Sequence, residues 1–243
     1  MKKIVIVGGA GTVGKILMNG LQQRYEVLVL DQSITSPSST EQYVDATSYQ
    51  QLLQTIPPDT DVLINLLRME TDQAVEPVET FEKMTAVFFK ATYYLLSVAE
   101  HYQIPKVIFA SSNHVTDYYE EDGYSTLGRE ITTDDYPYPK GLYGVLKIAS
   151  EQAGFIFSLN KQLSVINIRI GSVPEGDETE AVEKNDRLNR TLLSRNDLVN
   201  LFIAAVETDV AYGTYYGVSN NPDKPWDLSN AKNDLGFISN HEN

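Results

Sequence analysis

An α/β fold with a doubly wound parallel sheet is predicted by three features of this 243-residue chain. Short apolar runs of strand length alternate with helix-length segments from end to end. The first run, Ile4 to Val7, passes without a linker into a glycine turn and then a helix-compatible stretch, Lys15 to Leu21. A later run, Asp61 to Leu67 (DVLINLL), is apolar without alternation, as in a strand buried on both faces. The length suits one domain, residues 1–243, with a real core.

The opening stretch, KIVIVGGAGTVGKIL, carries G8-x-x-G11-x-x-G14 between strand and helix. Gly8 permits a tight exit from the strand, Gly11 lets a pyrophosphate approach the backbone, and Gly14 lets the helix pack closely on the strand. A helix N-terminus there offers unpaired N–H groups and partial positive charge to phosphate. Glu26 to Leu30 is the second strand and ends in Asp31. That acid lies about 20 residues beyond the turn, where a carboxylate accepts hydrogen bonds from an adenosine ribose and repels the extra phosphate of NADP. The preferred cofactor is therefore NAD.

The remaining elements follow in order. Ser33 to Thr40 is loop, Tyr43 and Val44 make a brief strand before Asp45, and Ser48 caps a helix from Tyr49 to Thr55 that Pro57 and Pro58 stop. The strand of Asp61 to Leu67 leaves through Arg68, Met69 and Glu70. Pro77 to His101 reads as one long helix with more apolar surface than a single sheet face needs, which suits a dimer interface as well as core packing. Lys106 to Ala110 is a strand, Tyr118 to Pro139 a polar, tyrosine-rich loop, Leu142 to Leu159 a helix and Leu163 to Ile170 an alternating strand. Pro174 to Arg190 is charged and weakly patterned, as a mobile lid or a solvated loop would be. Ser194 caps a helix from Asn196 to Glu207, Thr214 to Val218 is the last strand, and Trp226 to Phe237 holds one short helix.

Composition narrows the function. The net charge of −14 argues against nucleic acid and anionic membranes as partners, although one Arg can hold a small anion locally. With no cysteine, disulfides and thiolate metal sites are excluded. The three histidines, His101, His114 and His241, lack ligand spacing, so no metal is expected. No apolar run is long enough to span a bilayer and no signal peptide is expected ahead of the first strand, which together suggest a cytoplasmic location.

Ligands of such sheets sit beyond the carboxyl ends of the strands. Three polar residues qualify there: Ser112 after the fifth strand, then Tyr143 and Lys147 near the start of the next helix. At a spacing of four, Tyr143 and Lys147 share a helix face. A phenol serves as a base near neutral pH when a neighbouring ammonium favours its phenolate, and Ser112 would hold the substrate oxygen. The pattern suits proton transfer coupled to hydride transfer.

This order of motifs resembles the extended short-chain dehydrogenase/reductase family, also called the NAD-dependent epimerase/dehydratase family. The blocks FASSNHVT (109–116), LYGVLK (142–147), RIGSV (169–173) and GVSNNPDKPWDLSNAK (217–232) are similar to its uronate dehydrogenase branch. The resemblance implies a Rossmann-type sheet with NAD held by Gly8, Gly11, Thr12, Val13, Gly14, Asp31, Asp45, Ala46 and Leu66, and by Tyr143 and Lys147 at the nicotinamide end. It implies Tyr143 as base, Lys147 as its helper and Ser112 as the group orienting the substrate. Asn113, His114 and Ser172 would line a sugar pocket, with Arg187 gripping a uronate carboxylate. Substrate-pocket segments are expected around 172–195 and 219–238. The implied reaction is C1 oxidation of a free sugar acid to its lactone by a homodimer. A sugar-phosphate dehydrogenase, an epimerase or dehydratase, and a non-catalytic NAD sensor are the other readings. Leu67 and Arg68 stand where the family usually has small residues, Phe88 where it often has Asn, and Asp117 in place of Gly.

Overall fold

The computed structural model describes residues 1–240; His241 lies outside the described residues. A seven-stranded parallel sheet runs through the chain in the order β3-β2-β1-β4-β5-β8-β9. Its strands are β1 (Lys3–Val7), β2 (Glu26–Asp31), β3 (Glu41–Tyr43), β4 (Val62–Asn65), β5 (Lys106–Ser112), β8 (Ser164–Ile170) and β9 (Tyr212–Gly217). Strand order reverses between β1 and β4, so the chain leaves their adjacent carboxyl ends toward opposite sides and opens a crevice there.

Alternation along β1 divides the core. Ile4 and Ile6 face one layer with Leu17 and Leu21 of α1 (Thr12–Leu21) and with Leu198, Leu201 and Phe202 of α8 (Arg195–Glu207). Val5 and Val7 face the other, with Leu52 of α2 (Tyr49–Thr55), Leu95 and Val98 of α4 (Ala91–Tyr102) and Phe157 of α5 (Leu142–Lys161). All seven residues of β5 are buried, as a central parallel strand requires. The β8 strand departs from the expected alternation: Val165 to Arg169 are all buried, because β5 and β9 flank it and helices cover both faces.

Three segments differ from their sequence reading. The long helix is interrupted: α3 (Val78–Met84) passes into a π-helical turn, Thr85–Lys90, before α4. There the Ala91 N–H donates to Ala86 O, and the Phe88 carbonyl accepts from the hydroxyls of Thr92 (2.6 Å) and Ser150 of α5 (2.9 Å). Hydroxyls from two helices thus satisfy the carbonyl that the wider turn displaces, and no periodicity argument would find that. The loop of 118–139 contains a small hairpin of β6 (Glu120–Glu121) and β7 (Tyr124–Ser125). The charged stretch 174–190 folds as α6 (Glu178–Lys184) and α7 (Leu188–Thr191). Asp177 caps α6 by accepting from Glu180 N at 3.1 Å, and Glu180 pairs with Lys184 one turn on. That capping pattern was readable, but the lack of an apolar face concealed it.

A small C-terminal portion closes the sheet's end. Ile131 pairs with Trp226, and Trp226 stacks on Tyr216 of β9 at 5.9 Å, with Val218 beside them. The tail helix α9 (Ser229–Leu235) ends at Gly236. Among the described residues, no helix is long and apolar enough to cross a membrane.

The glycine turn is built differently at each position. Gly8 has φ +80°, and a Cβ there would lie 2.9 Å from the Leu66 carbonyl carbon at the β4 exit. A Cβ on Gly14 would come within 2.1 Å of Gly9 O, so the helix closes on the turn itself rather than on the strand body. Gly11 caps α1, and a Cβ there would meet nothing within 4 Å. Gly14→Ala should therefore lower stability by about 1–3 kcal/mol in urea unfolding, from overpacking. Gly11→Ala should cost under about 1 kcal/mol, the scale of a cap change, and show its effect in dinucleotide binding instead.

Candidate active site

Two adjoining cavities, about 800 and 300 Å³, occupy the crevice. Both are lined by Gly8, Gly11, Leu67 and Arg68, so they form one trough across the β1/β4 exits. The smaller is walled by Asp31, Asp45 and Ala46. Asp31 uses Oδ1 to accept from Ser33 N (2.9 Å) and Oγ (2.8 Å), and Oδ2 to accept from Ala10 N (3.1 Å). The carboxylate is thus aimed along the trough by the glycine turn. Thr12, Val13, Gly14 and Leu66 line the larger cavity.

Leu67 stands where a small residue is usual, and the structure accommodates it by direction. Its side chain packs against the core layer of α2 and α4, its N–H donates to Asn65 Oδ1 at 3.0 Å, and its backbone lies close to Gly8 of the turn. Asn65 is itself fixed by Thr92 Oγ1 at 2.9 Å.

Ser112, Asn113, His114, Tyr143 and Lys147 all line the larger cavity. Ser112 ends β5 and its hydroxyl accepts from His114 N (3.2 Å), capping the 3₁₀ turn Asn113–Tyr119. A Cβ on Gly144 would lie 2.5 Å from His114 O, so this glycine lets α5 bring Tyr143 against that turn. The His114 ring meets Tyr143 edge-on at 5.7 Å, and its Nδ1 lies 2.9 Å from Asp117 Oδ2. Asp117 also accepts from Lys140 N at 2.5 Å, which gives the non-glycine residue at 117 a defined part in holding the loop.

Lys147 is the unusual group. It is 3% exposed and donates to Ala110 O at 2.9 Å, with Leu67 O at 3.5 Å. Its ammonium lies over the rings of Phe109 (4.8 Å), Phe88 (5.1 Å) and Tyr143 (5.7 Å). Burial pulls its pKa down to about 7, and the Glu151 carboxylate pulls back against that fall. Burial likewise raises the Tyr143 phenol, while the Ser112 hydroxyl and the Arg68 charge lower it. Phe88 sits edge-on to Tyr143 at 5.1 Å, in the place expected of an Asn. The π turn delivers it there, so an aromatic wall replaces an amide beneath the phenol.

Below this triad lies a buried network absent from the sequence reading. Glu151, one turn after Lys147, accepts from Arg169 Nε (3.0 Å) and Nη2 (2.9 Å) and from Ser111 Oγ (2.5 Å). Arg169 Nη1 reaches Tyr216 OH at 3.3 Å, and that hydroxyl pairs with Thr116 Oγ1 at 2.7 Å. The signal was present as spacing: Tyr143, Lys147 and Glu151 recur every four residues, and Arg169 interrupts an apolar strand.

Ser172 and Arg187 line neither cavity. Arg187 donates to both oxygens of Glu120, Nε to Oε1 at 3.0 Å and Nη2 to Oε2 at 2.7 Å, and Nη1 donates to Ser172 Oγ at 3.3 Å. Of the segments around 172–195 and 219–238, only Val173 and Glu175 reach the trough walls, Glu175 accepting from Thr12 Oγ1 at 2.9 Å. Asn221 in the second segment instead braces the first, donating to Arg190 O and Leu192 O.

Comparison with known proteins agrees with this fold. The model of the NAD dependent epimerase/dehydratase family matches residues 4–196. A Bacillus subtilis protein named as uncharacterized protein YtbQ is 51% identical, covering 98% of this chain and 93% of that one. Two relatives are 26% identical: the NAD-dependent glucose-6-phosphate dehydrogenase of Haloferax volcanii, over 96% of this chain and 91% of its own, and the uronate dehydrogenase of Pseudomonas putida, over 97% and 83%. The crystal structure of uronate dehydrogenase from Agrobacterium tumefaciens shares the fold, with a TM-score of 0.83 at 24% identity, over 99% of this chain and 85% of that one.

The buried pair gives a stability prediction. Arg169→Leu leaves the Glu151 carboxylate unpaired in the core and should cost about 3–5 kcal/mol in urea unfolding. Replacing both residues, Glu151→Leu with Arg169→Leu, should recover most of that loss.

Proposed function

The chain belongs to the NAD dependent epimerase/dehydratase family, and we propose that it oxidises a small sugar or sugar acid at C1 with NAD as acceptor. The observation that carries this reading is the meeting of Ser112, Tyr143 and Lys147 on one wall of a trough that begins at the glycine turn. The trough fits a dinucleotide: Gly11 leaves open space before the α1 N-terminus, and Asp31 presents a carboxylate at the far end. When bound, NAD supplies the hydride acceptor.

The chain's own groups handle the proton and the oxygen. Tyr143 accepts the proton of the substrate hydroxyl, and the Lys147 ammonium favours the phenolate that does so. Ser112 donates a hydrogen bond to the same oxygen as carbonyl character develops. Phe88 and Phe109 exclude water from beneath Lys147, which strengthens its field at the phenol. A lysine buried among aromatic rings beside a phenol supports the catalytic reading over a sensor, since its burial lowers its pKa and places its charge where it can act on Tyr143.

A second reading keeps the mechanism and changes the substrate to a sugar phosphate. Its support is Arg68, exposed on the wall of both cavities and without an acidic partner among the described residues. A homodimer is also proposed. Phe89 and Tyr93 at the π turn and α4, with Val145, Ile156 and Leu159 of α5, leave an exposed apolar face that a second copy would cover.

Two measurements check these proposals. NADH formation, followed over neutral sugars, uronates and sugar phosphates, should fall about 10²–10⁴-fold in Tyr143→Phe, with NAD binding retained. Absence of turnover by the unaltered protein over the whole panel would refute the enzymatic reading. Light scattering should give twice the mass of one chain, and Ile156→Glu with Leu159→Glu should halve it; a monomer at the outset refutes the dimer.

A further inference from the structure

We infer that His114, held by Asp117, is the proton-relay residue of this site: it carries to solvent the proton that Tyr143 takes from the substrate. The inference rests on Tyr143 as the base proposed above and adds the step that returns it to its working form.

Turnover sets the requirement. As the substrate's hydride passes to NAD, its hydroxyl proton passes to the Tyr143 phenolate, and the phenol must lose that proton before the next cycle. The groups packed around the ring leave few ways out. Phe88 meets it edge-on at 5.1 Å and has no atom that takes a proton. Lys147, 5.7 Å from the ring centroid, donates to the Ala110 and Leu67 carbonyls and is closed in by Phe88 and Phe109, so a proton passed to it reaches no water. Ser112 is buried, and its hydroxyl is bound by His114 N at 3.2 Å. On the facing wall, the Arg68 guanidinium accepts no proton, and Lys140 turns its Nζ away to the Glu120 carbonyl. Two acids of the cavity wall, Glu70 and Asp72, are the rival acceptors.

His114 is both basic and open. Its ring stands edge-on to Tyr143 at 5.7 Å, and its side chain is 53% exposed. Both residues line the larger cavity, where one water or a substrate hydroxyl can link phenol and imidazole. Asp117 sets the tautomer. A carboxylate only accepts, so the 2.9 Å contact of Oδ2 puts the imidazole proton on Nδ1 and leaves the Nε2 lone pair to take the next one. The same carboxylate stabilises the imidazolium so formed, and its other oxygen is pinned by Lys140 N at 2.5 Å. The imidazolium then yields its proton to bulk water. Over one cycle the hydride goes to NAD, one proton goes through Tyr143 and His114 to solvent, and neither side chain is changed.

The test uses NADH formation over the substrate panel above and a second readout that needs no turnover. The proteins are the unaltered chain, Tyr143→Phe, His114→Ala, His114→Gln, and Glu70→Gln with Asp72→Asn, with thermal melting to confirm folding. His114→Ala should lower kcat about 10²-fold, the lower end of what a positioned acid–base group contributes, with KM little changed. Free imidazole should restore much of that kcat in His114→Ala and none in His114→Gln, whose side chain fills the space. The acid double variant should keep its kcat. Nitrogen-15 NMR of the three histidines, with His114 assigned by its missing signal in His114→Gln, should show the neutral ring protonated at Nδ1. A kcat loss that imidazole does not restore, an effect confined to KM, an undiminished kcat in His114→Ala, or an Nε2–H tautomer each overturns the relay, while the base reading stands on the loss in Tyr143→Phe. Full turnover by Tyr143→Phe, or none by the unaltered protein, removes the base reading and the relay with it.

Discussion

The buried ion pair between Glu151 and Arg169 is the interaction on which the site depends. It ties α5 to β8, and through Ser111 it ties both to the end of β5. Such pairs contribute little net stability, because desolvating two charges offsets most of their attraction. Their effect is on geometry. A carboxylate that must satisfy a guanidinium and a hydroxyl at once allows α5 only one rotation and one height. That placement seats Lys147, one turn away, under Ala110 O and sets Tyr143 opposite Ser112. Tyr216 and Thr116 extend the network to the 3₁₀ turn that carries Asn113 and His114.

The same constraint governs the electrostatics. Lys147 is subject to opposing causes, burial lowering its pKa to about 7 and Glu151 acting to raise it. A salt-bridged partner in direct contact would have locked the lysine as a cation. Glu151 instead spends its oxygens on Arg169 and Ser111, and reaches Lys147 only through the field. The aromatic rings around Nζ replace water with a weaker, fixed environment that favours the ammonium while keeping the space dry. Phe88 belongs to that environment and reaches it through the π turn, so the helix irregularity and the chemistry have one origin.

The sheet, the glycine turn and the Ser112, Tyr143 and Lys147 set were legible in the chain because each is a local pattern. A strand buried on both faces shows as a continuous apolar run, as Val62 to Ile64 does. Two groups four residues apart on a helix point the same way whatever surrounds them. Less was legible where the outcome hangs on a distant partner. Arg187 reads as an anion-binding residue until β6 places Glu120 against it, across 67 positions of sequence. The segment 174–190 reads as a mobile lid or a solvated loop until Arg190 is packed over the Tyr124 ring, 4.0 Å from its centroid.

By itself, then, the sequence determined the parallel sheet, the dinucleotide turn with Asp31 beyond it, and the candidate set of Ser112 at a strand exit with Tyr143 and Lys147 on the helix that follows. Periodicity, glycine conformation and helical spacing need no knowledge of the rest of the chain. Only the tertiary structure decided which charges are spent and which are open. Arg169 and Arg187 are both arginines near the site, yet each is consumed by an acid of another element, Glu151 and Glu120, while Arg68 faces the trough. Charge pairing is a property of distance in space, and folding sets those distances by closing long loops that no local pattern records.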